Sequence, residues 1–257
     1  MAEVVIVSTK EEAGAIAADA IRALVTAKPD AVLGLATGST PLTTWGALAS
    51  GGLDLSRVRG FALDEYVGLP LGHPESYRAV ITREVVEPLG LTPSLVRVPG
   101  DDGGPLSGAG ARYEADIEAA GGVDLQILGI GRTGHIGFNE PGSSLASLTR
   151  VKTLTAETRA DNARFFPSVD DVPTHCITQG LGTILRARHL VLLAFGSAKA
   201  AAVAAALEGP VSASTPGSVV QLHPTVTVVV DEDAASQLVH SDYYRYAWAN
   251  RFDWEKF

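Results

Sequence analysis

The 257-residue sequence predicts an α/β fold: a parallel sheet with helices on both faces. Three observations predict it. Short aliphatic and β-branched runs recur along the chain, apolar at consecutive rather than alternate positions, as in strands buried on both faces. Ala-rich stretches of helical period separate these runs. No internal repeat, low-complexity tract or linker breaks the alternation, so residues 1–257 read as a single α/β domain.

The expected elements follow in order. Val4–Val7 is a strand and Glu11–Ala27 an amphipathic helix. Ala31–Ala36 is a second strand and Thr40–Ala49 a helix. Val58–Leu63 is a strand and Tyr77–Leu89 a helix. Ala109–Ala120 is a helix that leads to a strand at Leu125–Ile130. Leu190–Phe195 is a strand followed by a helix at Ala198–Leu207, and Val226–Val230 is the last strand. Ala234–Val239 and an aromatic tail (Tyr243, Tyr244, Tyr246, Trp248, Phe252, Trp254, Phe257) close the chain, the tail reading as a packing or partner surface. The stretch Pro141–Thr174 shows no strong period and is long for a connection, which marks it as a functional segment.

Composition narrows the function classes. The formal net charge is −9 and the basic residues are scattered, which disfavours a nucleic-acid surface. No window is apolar enough to span a membrane, and the N-terminus has no basic leader, so a cytoplasmic protein is expected. The one cysteine, Cys176, can form no intrachain disulfide and reads as a buried apolar residue. Metal-spaced Cys/His clusters are absent from the sequence, so no metal site is expected.

Parallel sheets bind ligands at the carboxyl ends of their strands. Four such ends carry chemistry. In Thr37-Gly38-Ser39-Thr40-Pro41, Thr40 suits a helix N-cap and Pro41 the first helical position, while Gly38 allows a tight turn whose N–H groups hold an anion. A plain capped helix uses the same residues. In Leu63-Asp64-Glu65-Tyr66, two carboxylates end an apolar strand; neighbours on a strand face opposite ways, so one of them enters the cleft as a general base. A cap or a surface ion pair is the plainer alternative.

The third end, Gly129 to Pro141, contains G-x-G-x-x-G, but the helix a dinucleotide site needs does not follow. It reads instead as a loop presenting His135, with Glu140 close enough in sequence to orient it. At the fourth end, Gly196-Ser197-Ala198-Lys199, a cation sits in a first helical turn, where a bound phosphate would offset its repulsion by the helix dipole. A solvated loop histidine and a surface lysine are the corresponding alternatives. Arg164, taken alone, is a surface arginine.

These residues fall within LGLATGSTPLTTW, LDEYVGLPLGHPESY, LGIGRTGHIGFNEPGSSLAS and TRVKTLTAETRADNARFF. Together and in this order, they resemble the glucosamine-6-phosphate deaminase family over nearly the whole chain. The resemblance implies a Rossmann-like fold shared with 6-phosphogluconolactonase, conversion of an amino-sugar phosphate to a keto-sugar phosphate and ammonia, and no cofactor. Residue by residue, Asp64 matches the carboxylate that moves a proton between C2 and C1. His135 matches the histidine that assists ring opening, and Glu140 its partner. Gly38, Ser39, Thr40, Arg164 and Lys199 match the phosphate site. Ser143, Arg150 and Lys152 match an activator site that some hexameric relatives carry at a subunit interface, so a homo-oligomer is compatible with the resemblance. The pattern departs at Thr133, where many relatives carry Asp and some Asn. The expectation is that Glu140 alone orients His135 while Thr133 shapes the loop. Galactosamine 6-phosphate remains an alternative substrate. A non-catalytic sugar-phosphate sensor is disfavoured by the retained Asp64, His135 and Glu140, and by a first strand at about Val4 that leaves no room for a preceding DNA-binding segment.

Overall fold

The computed structural model describes residues 3–252. Ten strands occur among them: β1 (Glu3–Val7), β2 (Val32–Leu35), β3 (Arg59–Ala62), β4 (Asp64–Val67), β5 (Val96–Arg97), β6 (Leu125–Gly129), β7 (Arg150–Thr153), β8 (His175–Thr178), β9 (His189–Ala194) and β10 (Val226–Asp231). Seven form one sheet in the order β1-β10-β9-β6-β2-β3-β5. All its pairings are parallel. The central strands are buried along their length, which is why they read as unbroken apolar runs.

Helices Lys10–Ala27, Leu42–Ala49, Leu106–Ala119 and Ala200–Leu207 match the predicted helices to within a few residues. Tyr77–Leu89 is helical throughout, with a π-helical turn at Thr82–Val86. Thr9 caps the first long helix, its hydroxyl accepting from the Glu12 N–H at 3.1 Å. Asp124 holds the opposite, amino ends of the strands together. Its carboxylate accepts from the Val32 N–H at 2.8 Å and from Lys28 and Arg188 at 2.8 and 2.9 Å.

Three corrections concern the elements. The strand predicted over Val58–Leu63 does not end at the two carboxylates. It ends at Ala62, and after the single residue Leu63 the chain enters β4. There β4 pairs antiparallel with β8, and β8 with β7, in a separate sheet of order β4-β8-β7. Second, Pro141–Thr174 is not irregular: it contains β7, the helix Ala156–Asn162 and two short 3-10 turns. Third, the closing stretch Ala234–Val239 is no element of its own: its first two residues end the short helix Glu232–Ala235.

The small sheet has a core of its own, made of Tyr66, Phe138, Leu154, Phe166, Val172 and Cys176. The aromatic tail forms a helix over Ser241–Ala249, from which Tyr244 and Trp248 pack on the large core. Tyr243, Tyr246 and Phe252 are exposed, and Trp254 and Phe257 lie outside the described residues.

Candidate active site

The four chemistry-bearing strand ends belong to β9, β6, β2 and β3, which are consecutive neighbours in the sheet. Parallel pairing therefore places their carboxyl ends side by side. A cavity of about 830 Å³ opens there. Gly38, Ser39, Thr40, Asp64, His135, Arg164 and Lys199 all line it. Thr133 and Glu140 do not; they stand behind His135.

At β2, Gly38 adopts φ +87°, a conformation that favours glycine. Thr40 is not the helix cap. Pro41 takes that place, its carbonyl accepting from Thr44 and Trp45 at 3.0 and 3.1 Å, and the helix begins at Leu42. The consequence is that Thr40 stays in the loop facing the cavity. Among the described residues, the N–H groups of Gly38, Ser39 and Thr40 donate to no protein acceptor, as an anion-binding turn requires.

Lys199 lies in the 3-10 turn Ser197–Lys199, just before the helix Ala200–Leu207. No local sequence pattern announces how that turn is held. Asp231, at the end of β10, accepts the Gly196 N–H with both oxygens, at 3.0 and 2.9 Å. Burial lowers the Lys199 ammonium below its ordinary value, Asp161 opposes this, and the nearby Arg132 and Arg164 reinforce it. Arg164 sits 4.7 Å from the Phe165 ring centroid. The cavity it lines is built from segments distant in sequence, so nothing local separates it from any surface arginine.

Of the two carboxylates after β3, only Asp64 enters the cavity, as the alternation of a strand requires. Glu65 turns away and accepts the N–H groups of Tyr66, Tyr77 and Arg78 at 2.7 to 2.8 Å. It thereby fixes the start of the helix that carries Tyr77 into the cavity wall. Asp64 is 6% exposed. Burial, with a smaller contribution from the charge on Glu65, pushes its carboxyl up to about 8. A carboxylate so raised is a stronger base than one in water.

His135 comes from the loop after β6. No helix follows that loop until Ala156, which disposes of the dinucleotide reading. The imidazole packs over Gly131 so closely that a Cβ there would lie 2.1 Å from a ring carbon. Gly137, at φ +54°, brings the loop past Asp64.

The Thr133 expectation needs correcting. Thr133 Oγ1 lies 2.8 Å from His135 Nδ1, nearer than Glu140 Oε2 at 3.4 Å, and donates to that same Oε2 at 3.4 Å. Thr133 therefore bridges the two rather than merely shaping the loop. Glu140 is 5% exposed, and its other oxygen accepts from Thr155 at 3.3 Å and from Thr158. Burial raises Glu140, but hydrogen bonds from His135 and Thr158 outweigh it, and the carboxyl ends below its ordinary value.

Ser143, Arg150 and Lys152 lie outside the cavity. Arg150 and Lys152 occupy alternate positions of β7. Arg150 donates to buried Asn139 at 2.7 Å, next to Glu140, and the buried Ser143 hydroxyl has no partner among the described residues. Burial pushes the Cys176 thiol up, in keeping with its reading as an apolar core residue. Among the described residues, no group of three His, Cys, Asp or Glu could hold a metal ion, and no helix is long and apolar enough to cross a membrane.

A sheet whose carboxyl edge gathers a turn with N–H groups unpaired among the described residues, a buried carboxylate and a histidine defines an α/β enzyme, and comparison with known proteins gives its family. Residues 8–229 match the family of glucosamine-6-phosphate isomerases and 6-phosphogluconolactonase, and the chain belongs to that family. A glucosamine-6-phosphate deaminase of Bifidobacterium longum (strain DJO10A) is 59% identical over 99% of both chains. One from Arthrobacter sp. (strain FB24) is 56% identical over 98% of this chain and 99% of its own. The solved structure of a monomeric glucosamine-6-phosphate deaminase superposes with a TM-score of 0.88 at 42% identity, over 91% of this chain and 99% of that one. The 6-phosphogluconolactonase of Leishmania guyanensis, at TM-score 0.71 and 22% identity, shares the fold.

The burial of Asp64 makes a stability prediction. Its value is about 8 in the folded chain against an ordinary 3.8, so between these values the folded state binds the proton that the unfolded state has released. Stability supplied by this proton is present at low pH and is lost as pH rises through about 8. Asn cannot ionise. Urea denaturation should show Asp64→Asn gaining more than ~1 kcal/mol over wild type between pH 5 and pH 9. An unchanged difference would mean that Asp64 ionises freely in the folded chain.

Proposed function

We propose that the chain is a glucosamine-6-phosphate deaminase, converting D-glucosamine 6-phosphate and water to D-fructose 6-phosphate and ammonia. The observation that carries the reading is one cavity lined by a buried base, a histidine backed by a carboxylate, and two cations beside an anion-binding turn. The full-length relatives of the same name support it.

The chemistry follows from these positions. The turn at Gly38–Thr40, with Lys199 and Arg164, holds the phosphate, and that remote binding energy orients the sugar. His135 moves the proton that opens the pyranose ring, with Thr133 and Glu140 fixing its tautomer. The open form has a C1 aldehyde, which makes the C2 proton acidic. Asp64 removes that proton to give an enolamine, then returns it to C1. The resulting C2 iminium adds water and expels ammonia, leaving the ketone.

Supplied with glucosamine 6-phosphate, the wild type should release ammonia and ketose phosphate in equal amounts, with slower turnover of the galacto epimer. Asp64→Asn should lower kcat by at least ~10² while substrate binding persists. Turnover of only the galacto epimer would reassign the substrate. An Asp64→Asn enzyme with more than about a tenth of wild-type kcat would remove Asp64 from the mechanism.

The bridging position of Thr133 separates its contribution from that of Glu140. Thr133→Val keeps the shape but loses both arms of the bridge, the contact with His135 and the longer bond to Glu140, so kcat should fall roughly tenfold. Glu140→Gln loses the charge behind the histidine and should cost ~10² or more. Equal losses in the two variants would show that the hydroxyl, not the carboxylate, sets the state of His135.

Ser143, Arg150 and Lys152 would bind an activating sugar phosphate such as N-acetylglucosamine 6-phosphate. Arg150 would report its occupancy through Asn139 to the neighbouring Glu140. Coupling requires the activator to favour one conformational state. Initial rates with and without that compound should differ at low substrate, and Arg150→Ala should abolish the difference. Superimposable curves for the wild type would leave these residues without a regulatory role.

A further inference from the structure

Among the charged residues that line the cavity and have no part in the mechanism above, Arg132 and Asp161 stand beside Lys199. Arg132 belongs to the loop after β6, and Asp161 to the helix Ala156–Asn162. They form a two-pronged pair, with Nη2 to Oδ1 at 2.5 Å and Nε to Oδ2 at 3.3 Å. Glu157 stands 3.9 Å from the same guanidinium. The side chains of Arg132 and Asp161 are 50% and 43% exposed. A pair so wetted adds at most ~1 kcal/mol to the fold, so stability does not account for its position.

Its surroundings do. Lys199 lies within electrostatic reach of Arg132, Arg164 and Asp161 together. Asp161, with Glu157 at the outer side of Arg132, is therefore set among three cations at the end of the cavity assigned to phosphate. A guanidinium fork fits phosphate as well as it fits carboxylate. A carboxylate in that place repels an arriving dianion. We propose that Arg132 is a third phosphate-binding cation, and that Asp161 holds its fork in the empty site and gives it up when the substrate phosphate arrives. Asp161 is then an internal competitor, trading affinity for faster release of product. The inference rests on the phosphate end of the deaminase reading and adds to it two residues of opposite sign.

The opposite signs make the test. The substrate KM and the competitive inhibition constant of inorganic phosphate are measured for wild type, Arg132→Gln, Asp161→Asn and Lys199→Ala. Arg132→Gln should raise both constants about fivefold to tenfold, the range of a lost charge-assisted hydrogen bond in a wet site. Asp161→Asn should lower both about twofold to fivefold, because a half-exposed opposing charge is gone. A merely structural pair would weaken phosphate binding in both variants or in neither, and either result overturns the proposal. If Lys199→Ala weakens phosphate binding and Arg132→Gln does not, Arg132 alone is misassigned. If Lys199→Ala also leaves it unchanged, the phosphate end of the deaminase reading fails.

Discussion

Parallel pairing of β9, β6, β2 and β3 is the constraint on which the site depends. Strands that run the same way finish at the same edge. Four loops far apart in the sequence are thereby delivered to one cavity without any of them reaching across the molecule. The sheet beneath is dry and filled by side chains such as Leu33, Leu35, Ile127 and Leu128, all at most 1% exposed. A packed interior of that kind moves little, so the loops inherit fixed starting points.

Electrostatics at the edge sorts chemically similar groups into different tasks. Asp64 and Glu65 are sequence neighbours with the same side-chain chemistry. Three backbone N–H groups hold Glu65 in place, whereas among the described residues no hydrogen bond reaches the Asp64 carboxylate. The first is structural and the second is free to carry a proton. Glu140 shows a third outcome: it is as buried as Asp64, yet donors from Thr133, Thr155, Thr158 and His135 keep it charged. Burial sets the cost of a charge, and the hydrogen-bond donors at hand decide whether that cost is offset.

How much of this could be read beforehand depended on whether the signal was local. Strands β1, β2, β3, β6, β9 and β10 were legible because burial on both faces leaves an apolar run. β7 is an edge strand, Arg-Val-Lys-Thr, with alternate residues exposed, and β8 is four residues long, so neither leaves such a run. Asp64 was found through the right motif but given the wrong strand, since one residue, Leu63, separates two sheets that the sequence joins without a break. The pairing of Arg132 with Asp161, the hold of Asp231 on Gly196 and the placing of Tyr77 all join distant segments, and no local pattern announces them. The resemblance to a family added Arg164, which local reasoning left as a surface arginine, to Lys199, which it read either as a phosphate neighbour or as a surface lysine.

The register that pairs Asp64 with Thr178 has a consequence for the order of assembly. A ribosome delivers β3 and β4 early, but β4 has no partner strand until β8 has been made. The intervening chain includes the whole His135 loop. Long-range antiparallel pairing of this kind is slow to form, because loop closure must precede any gain from contact. The large sheet has a similar debt, since β1 has no partner until β10 joins it to β9. A nascent or truncated chain ending before β8 can therefore make the Gly38 turn without fixing its base. The base of the site is thus held in place only by chain made well after it.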